Sequence, residues 1–147
     1  MLERRQVTYT NRLNYRPHPG SGAMAPYVVV TLGGPGGESI DTLALVDSGA
    51  AFSLFDGQLA APLGFELGEG RPVDYSLLSG DRLRAYMHRA YVEVDGLGYW
   101  SEVAFSEQQI PRNLLGRADF FLRHRIGFSE HFQEILLARE QGNALRP

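Results

Sequence analysis

Apolar residues along this chain fall mostly in short alternating or continuous runs, punctuated by Gly, Pro, Asp and Asn. That spacing predicts strands and tight turns rather than long helices. The first 25 residues are polar and carry Pro17, Pro19, Gly20 and Gly22, which predicts a lead-in arm with a short strand at 6–9. Val28, Val29 and Val30 are β-branched and continuous, as in a strand buried on both faces. "GGPGG" (33–37) reads as a loop, and "SIDTLALV" (39–46) as the returning strand. After a turn, "FSLF" (52–55) alternates like a short strand.

Asp56 is placed as a helix N-cap ahead of Leu59, Ala60 and Leu63, with Gly64 as the stop and Pro62 limiting the length. Two strand-like arms follow around a tight turn at Ser79, Gly80 and Asp81. Asp95-Gly96 is a second hairpin signal. "GYWSEVAFSE" puts Tyr99, Val103 and Phe105 on one side. "NLLG" (113–116) predicts a short apolar strand and "RADFFLRH" (117–124) a short helix. The chain closes on a hairpin turning at 129–131. The expected fold is all-β, a barrel or sandwich with one or two short helices. The expected organisation is an arm (1–25), one domain (26–140) and a tail (141–147).

Composition narrows the function. At 147 residues, 44% hydrophobic and 21% charged, the chain fits one domain with a packed core. The net charge of −3, without a basic run, argues against a nucleic-acid surface. All 14 basic residues are Arg, which reads as the codon bias of a GC-rich genome. Without Cys there is no disulfide, thiolate nucleophile or Cys-based zinc site. No apolar run approaches a membrane span, and the N-terminus lacks the apolar core of a signal peptide, so a soluble, cytoplasmic protein is expected. The four His residues (18, 88, 124, 131) are not spaced as metal ligands, and structural or surface roles are expected for them. No metal or other cofactor is expected.

The chemistry concentrates in "ALVDSGAAF" (44–52), where an apolar run meets a carboxylate and then small residues. Asp47 is either the first residue of a turn or a carboxylate at the floor of a cleft. Ser48 lacks a Gly-x-Ser-x-Gly elbow and a placed His, so it is not read as a nucleophile. Three features follow in order: a hairpin with Gly at its tip (Leu77, Leu78, Ser79, Gly80, Asp81), an apolar strand ending in Gly and Arg (Leu114, Leu115, Gly116, Arg117), and a closing helix with a last strand pair.

On these motifs, from about Pro26 to Ala138, the chain resembles the retropepsin-type aspartic proteases, a single-domain family that includes retroviral proteases and bacterial relatives. It is read here as one of the bacterial kind. The resemblance implies a retropepsin-like acid-protease barrel with Asp47 as catalytic carboxylate. Ser48, Gly49 and Ala50 are then the active-site loop, 77–81 the flap over substrate, and Leu114 to Arg117 the second motif. It also implies a homodimer, because the chain has one Asp-Ser-Gly and a two-fold axis supplies the second copy. Two carboxylates a few Å apart share one proton, so one can take a proton from water while the other donates to the peptide carbonyl. The expected function is an aspartic endopeptidase acting on peptide or protein substrate. The alternative is a catalytically inactive relative that binds peptide or dimerises.

One position departs from the family. Retroviral members often carry a second Asp just after the active-site turn, paired with the Arg of the second motif. Here Ala51 stands there. Arg117 is then left to Asp119, to another acid, or to solvent. The pair Phe120-Phe121 is expected in the core, and 77–81 as an ordinary turn is the competing reading of the flap.

Overall fold

The structure is a computed structural model that describes residues 6–77 and 79–140. Leu78 of the expected flap and the expected tail (141–147) lie outside the described residues.

Among the described residues twelve strands follow one another: β1 (Asn11–Asn14), β2 (Arg16–Pro17), β3 (Met24–Ala25), β4 (Tyr27–Gly33), β5 (Ser39–Val46), β6 (Leu54–Asp56), β7 (Arg71–Ser76), β8 (Arg82–Val94), β9 (Leu97–Ser106), β10 (Asn113–Leu115), β11 (His124–Ser129) and β12 (Glu134–Arg139). Short 3-10 turns lie between β6 and β7, and a π-helical turn (Arg117–Phe121) follows β10. The all-β expectation holds.

The largest sheet runs in the order β4-β5-β10-β6-β9-β8-β7. It also closes on itself, because β4 pairs with β8 through Thr31↔Glu93, Leu32↔Val92 and Gly33↔Tyr91. The closed part is a barrel of six strands, and β7 projects from it as the outer arm of the β7–β8 hairpin. Closure removes sheet edges and encloses Val28, Val30, Leu32, Phe55, Val92, Phe105 and Leu115, all at most 2% exposed. Burying each such side chain contributes about 1.5–3 kcal/mol.

The arrangement at β5, β10 and β6 is non-local. β5 and β6 are joined by only the segment 47–53, yet they do not pair. β10 lies between them, parallel to β5 (Leu114↔Leu45, Leu115↔Val46) and antiparallel to β6 (Leu114↔Leu54). Asn113 locks it at its start. Its amide donates to Thr42 Oγ1 (3.0 Å) and Leu43 O (2.9 Å), and its Oδ1 accepts from Asp56 N (2.8 Å).

Several local expectations are met. Asp56 Oδ1 accepts from Gln58 N at 2.9 Å, and Gly64 stops the segment at φ +86°. The helix itself breaks into two 3-10 turns, Gly57–Leu59 and Ala61–Leu63, because Pro62 has no N–H to donate. Asp95 and Gly96 both take positive φ, as a tight hairpin turn requires.

Others need correction. The predicted strand at 6–9 forms instead at Asn11–Asn14, where β1 pairs with β12 (Asn11↔Leu137 to Asn14↔Glu134). With β11 these make a second, three-stranded sheet that ties residues 11–15 to the end of the chain, while β2 and β3 pair only with each other and stay mostly exposed. Tyr15 is 4% exposed and its N–H reaches Gln133 O at 2.7 Å. Val29 is exposed while Val28 and Val30 are buried, so β4 is fully covered on one face and opens to solvent at Val29 on the other, where Tyr27 is still buried. The last hairpin turns at 130–133, one residue later than predicted, with Gln133 at positive φ.

Candidate active site

Asp47 is the first residue past the end of β5. Its N–H still donates to Leu115 O (3.0 Å), so β10 holds the chain one step beyond the strand. Its carbonyl accepts from Ala50 N (3.1 Å), and its Oδ1 accepts from Gly49 N (2.8 Å). The aspartate is therefore a turn residue, as its local sequence suggests. It is also half-buried and free of any ion pair among the described residues, so the second carboxylate oxygen is left without a protein partner. Gly49 suits the position because a Cβ there would stand 3.1 Å from Asp47 Oδ1.

The two predicted motifs come together. Arg117 N donates to Ala50 O and Ala118 N to Ala51 O, each at 2.9 Å. Gly116 lies against the backbone of Phe52, with a Cβ there only 2.4 Å from the Phe52 carbonyl carbon. Ala50 is buried beneath this contact, and Ser48 and Gly49 are exposed above it.

Among the described residues Arg117 has no ion pair, yet it is not simply solvated. Its Nη1 donates to Ser48 O at 3.2 Å, bracing the 47–50 loop through backbone. Asp119 does not substitute for the missing acid, because it points inward and is 1% exposed. It accepts from Ser53 Oγ on both oxygens (2.7 Å each), from Ser53 N (3.2 Å) and from Tyr99 Oη (2.9 Å). Ser53 Oγ in turn accepts from Gly116 N at 3.0 Å. Burial raises the Asp119 carboxyl above its ordinary value, against the lowering effect of these donors. Burial and the adjacent Asp119 push the Tyr99 hydroxyl well above its usual range.

The β7–β8 hairpin carries the expected flap. Its ladder ends at Ser76↔Arg82, and Leu77 N donates to Asp81 O at 2.9 Å, so the turn occupies 77–81 rather than a two-residue tip. Gly80 takes φ +87°, where an L side chain is strained, and its N–H donates to Leu77 O (3.0 Å). Ser79 Oγ donates to Asp81 Oδ2 (3.1 Å), and Leu77 is 41% exposed. The hairpin meets the loop lower down, at Tyr75. Its ring meets Phe52 edge-on at 5.0 Å. Its hydroxyl is raised first by burial and then by the Asp47 charge, with Arg117 lowering it.

Comparison with known proteins follows from this geometry. The chain matches a retropepsin-like aspartic protease from Rickettsia conorii with a TM-score of 0.58 at 14% identity, covering 88% of this chain and 99% of that one. The fold is retropepsin-like. EIAV protease complexed with an inhibitor also aligns, with a TM-score of 0.49 and 18% identity over 64% of this chain and 83% of that one. No protein-family model and no curated protein matches the sequence. Among the described residues no helix is long and apolar enough to cross a membrane.

Within this retropepsin-like barrel, the residues the motifs did not signal are Ser53, Asp119, Tyr99, Asn113 and Tyr75. Ser53 lies in an apolar run and Asp119 in an apparent helix, and only their meeting in space marks them. Two histidines are structural, as expected: His88 Nε2 meets Leu67 O (3.0 Å), and His124 Nδ1 meets Phe120 O (2.8 Å). Phe120 is fully buried and Phe121 partly so, in line with a core role.

Replacing Gly80 by Val is expected to cost about 1–2 kcal/mol locally, since a β-branched residue is forced into the left-handed region. The core lies elsewhere, so kcat/KM for peptide should drop more than the melting temperature. A melting curve and a peptide assay on one preparation check this. A large fall in melting temperature with proportionate activity loss would mark Gly80 as a structural turn only.

Proposed function

We propose that the chain is an aspartic endopeptidase whose active site forms when two copies place their Asp47 carboxylates across a two-fold axis. The observation that carries the reading is the loop 47–50 held against Leu115 and Arg117 in a retropepsin-like barrel, with one unpaired aspartate at its surface. The ionised carboxylate takes a proton from water as the oxygen attacks the peptide carbonyl carbon. The protonated one gives its proton to the carbonyl oxygen. Collapse of the resulting diol returns a proton to the amide nitrogen and breaks the C–N bond. Each chain contributes one carboxylate, and the pair holds one proton between them.

Substrate lies extended beneath the 77–81 turns, adding to the hairpin as a strand. Exposed Leu77, Ala51 and half-buried Phe52 favour apolar side chains near the cleaved bond. An inactive binding domain would be favoured by an Asp47 tied to Arg117. Here Arg117 is tied to the Ser48 carbonyl instead, while the bond from Gly49 N to Asp47 Oδ1 fits either reading.

Dilution tests the assembly. Specific activity should fall as protein concentration drops, since only dimers carry two Asp47 residues. Adding excess Asp47→Asn chain to wild type should suppress cleavage through mixed dimers. Constant specific activity at every dilution, with no suppression, would mean that one chain suffices and would end the dimer reading.

A further inference from the structure

Behind the loop that bears Asp47 lies a second carboxylate that the proposed chemistry does not use. Asp119 gathers donors from two other segments: Ser53 at the end of the loop, through both its N–H and its hydroxyl, and Tyr99 on β9. The direction of the bonds is fixed by one fact. Ser53 Oγ accepts from Gly116 N, so its single hydrogen is free to point at Asp119. The chain of donors then runs from Gly116 through Ser53 to Asp119, and Tyr99 donates into the same carboxylate from the other side.

This network grips Gly116 on the side opposite the loop. Gly116 follows Leu115, whose carbonyl holds Asp47 N, and precedes Arg117, whose N–H holds Ala50 O. A shift of Gly116 is transmitted to both ends of the Asp47 turn, because the Phe52 backbone leaves it no slack. We infer that Asp119, acting with Ser53 and Tyr99, is a positioning residue that sets where the Asp47 carboxylate stands. The inference rests on Asp47 being the catalytic carboxylate. Charged or titratable groups around the network are Tyr99, His124, which stacks on Tyr99 (5.5 Å), and Arg123, over the Tyr99 ring (5.2 Å).

Asp119→Asn tests it, since the amide nitrogen must face either Ser53 Oγ or Tyr99 Oη, both of which donate here. Tyr99→Phe is the milder variant, losing one donor and keeping the ring. Two readings are taken on each. In the peptide assay, kcat should fall about 10- to 100-fold for Asp119→Asn, as expected for a displaced reacting group, while KM stays within about twofold. Tyr99→Phe should fall less, in the same direction. In amide NMR spectra the Gly49 signal should move in both, because its N–H donates to Asp47 Oδ1, while the Gly22 signal in the separate β2–β3 hairpin stays in place.

Wild-type kcat and an unmoved Gly49 signal, with loss seen only in melting temperature, would overturn the inference and leave Asp119 a structural residue. If Asp119→Asn does not fold, the Tyr99→Phe pair of readings decides by the same measure. If wild type cleaves no peptide, the protease reading falls by itself, and the Gly49 shift alone decides whether Asp119 positions the loop.

Discussion

Asp47→Asn should abolish peptide cleavage while leaving the fold in place. The substitution is nearly isosteric. The Asn side-chain oxygen can still accept from Gly49 N, which Asp47 Oδ1 does at 2.8 Å, so the turn keeps its internal bond. The main-chain ties of residue 47 to Leu115 and Ala50 do not depend on the side chain. What is lost is the proton that two carboxylates would share and the base that would take a proton from water. Loss of general acid-base help alone is worth at least ~10²-fold in rate. The melting temperature should move little, because the side chain forms no ion pair among the described residues. Turnover of a peptide library by both proteins, with melting curves alongside, makes the comparison. Near wild-type turnover by the Asn variant would rule out the aspartic mechanism.

Gly116→Ala should do the opposite, with damage to stability as well as to rate. Gly116 has φ −112°, an ordinary value for any residue, so the glycine is not there for backbone freedom. It is there for space. A Cβ would stand 2.4 Å from the Phe52 carbonyl carbon and 2.5 Å from its oxygen, and these are backbone atoms that cannot rotate away. Forcing such a contact in a packed interior costs about 3 kcal/mol. For a chain of this size that lowers the melting temperature by roughly 10 °C. Relief would require β10 and the 47–53 segment to separate, which also moves Asp47. Thermal melts of Gly116→Ala beside Gly68→Ala provide the control, since a Cβ at Gly68 meets nothing within 4 Å. Equal melting temperatures for the two variants would mean that the close approach at Gly116 is not what holds the loop.

Much of the barrel is legible because its strands are local objects. β8 and β9 alternate clearly and are joined by Asp95-Gly96, so period and turn chemistry agree. The capped turns after Asp56 are legible for the same reason. The placement of β10 is not. Three residues, Asn113–Leu115, carry too little pattern to say that they enter between β5 and β6, which pair with Leu114 through Leu45 and Leu54 far earlier in the chain. β1 carries no strand signal because its sequence, NRLN, is nearly all polar, and its pairing with β12 makes it a strand. The exposure of Val29 is not legible because a β-branched run looks the same whether one face or both are covered.

At the candidate site, the motifs marked the loop and the strand end that holds it, Leu115 to Arg117, and missed the buried groups behind them. Asp47 and Gly116 stand in recognisable short patterns. Asp119 sits two residues after Arg117, where an ion pair is the obvious reading, and its burial depends on Ser53 and Tyr99 from other parts of the chain. Arg117 in turn is bound by a main-chain carbonyl, which no side-chain pattern signals.

The strand wedged between β5 and β6 also sets a timetable for synthesis. A chain growing from its N-terminus has made the Asp47 loop long before it has made Leu115, the residue whose carbonyl holds Asp47 N. Until then β5 and β6 have no partner in common, and the barrel lacks the strand that joins them. Such distant pairings are slow to form, because the intervening chain must be closed before the contact stabilises anything. The loop thus acquires its shape only after residue 115 has been made, so an emerging chain carries Asp47 on a segment that nothing yet holds in place.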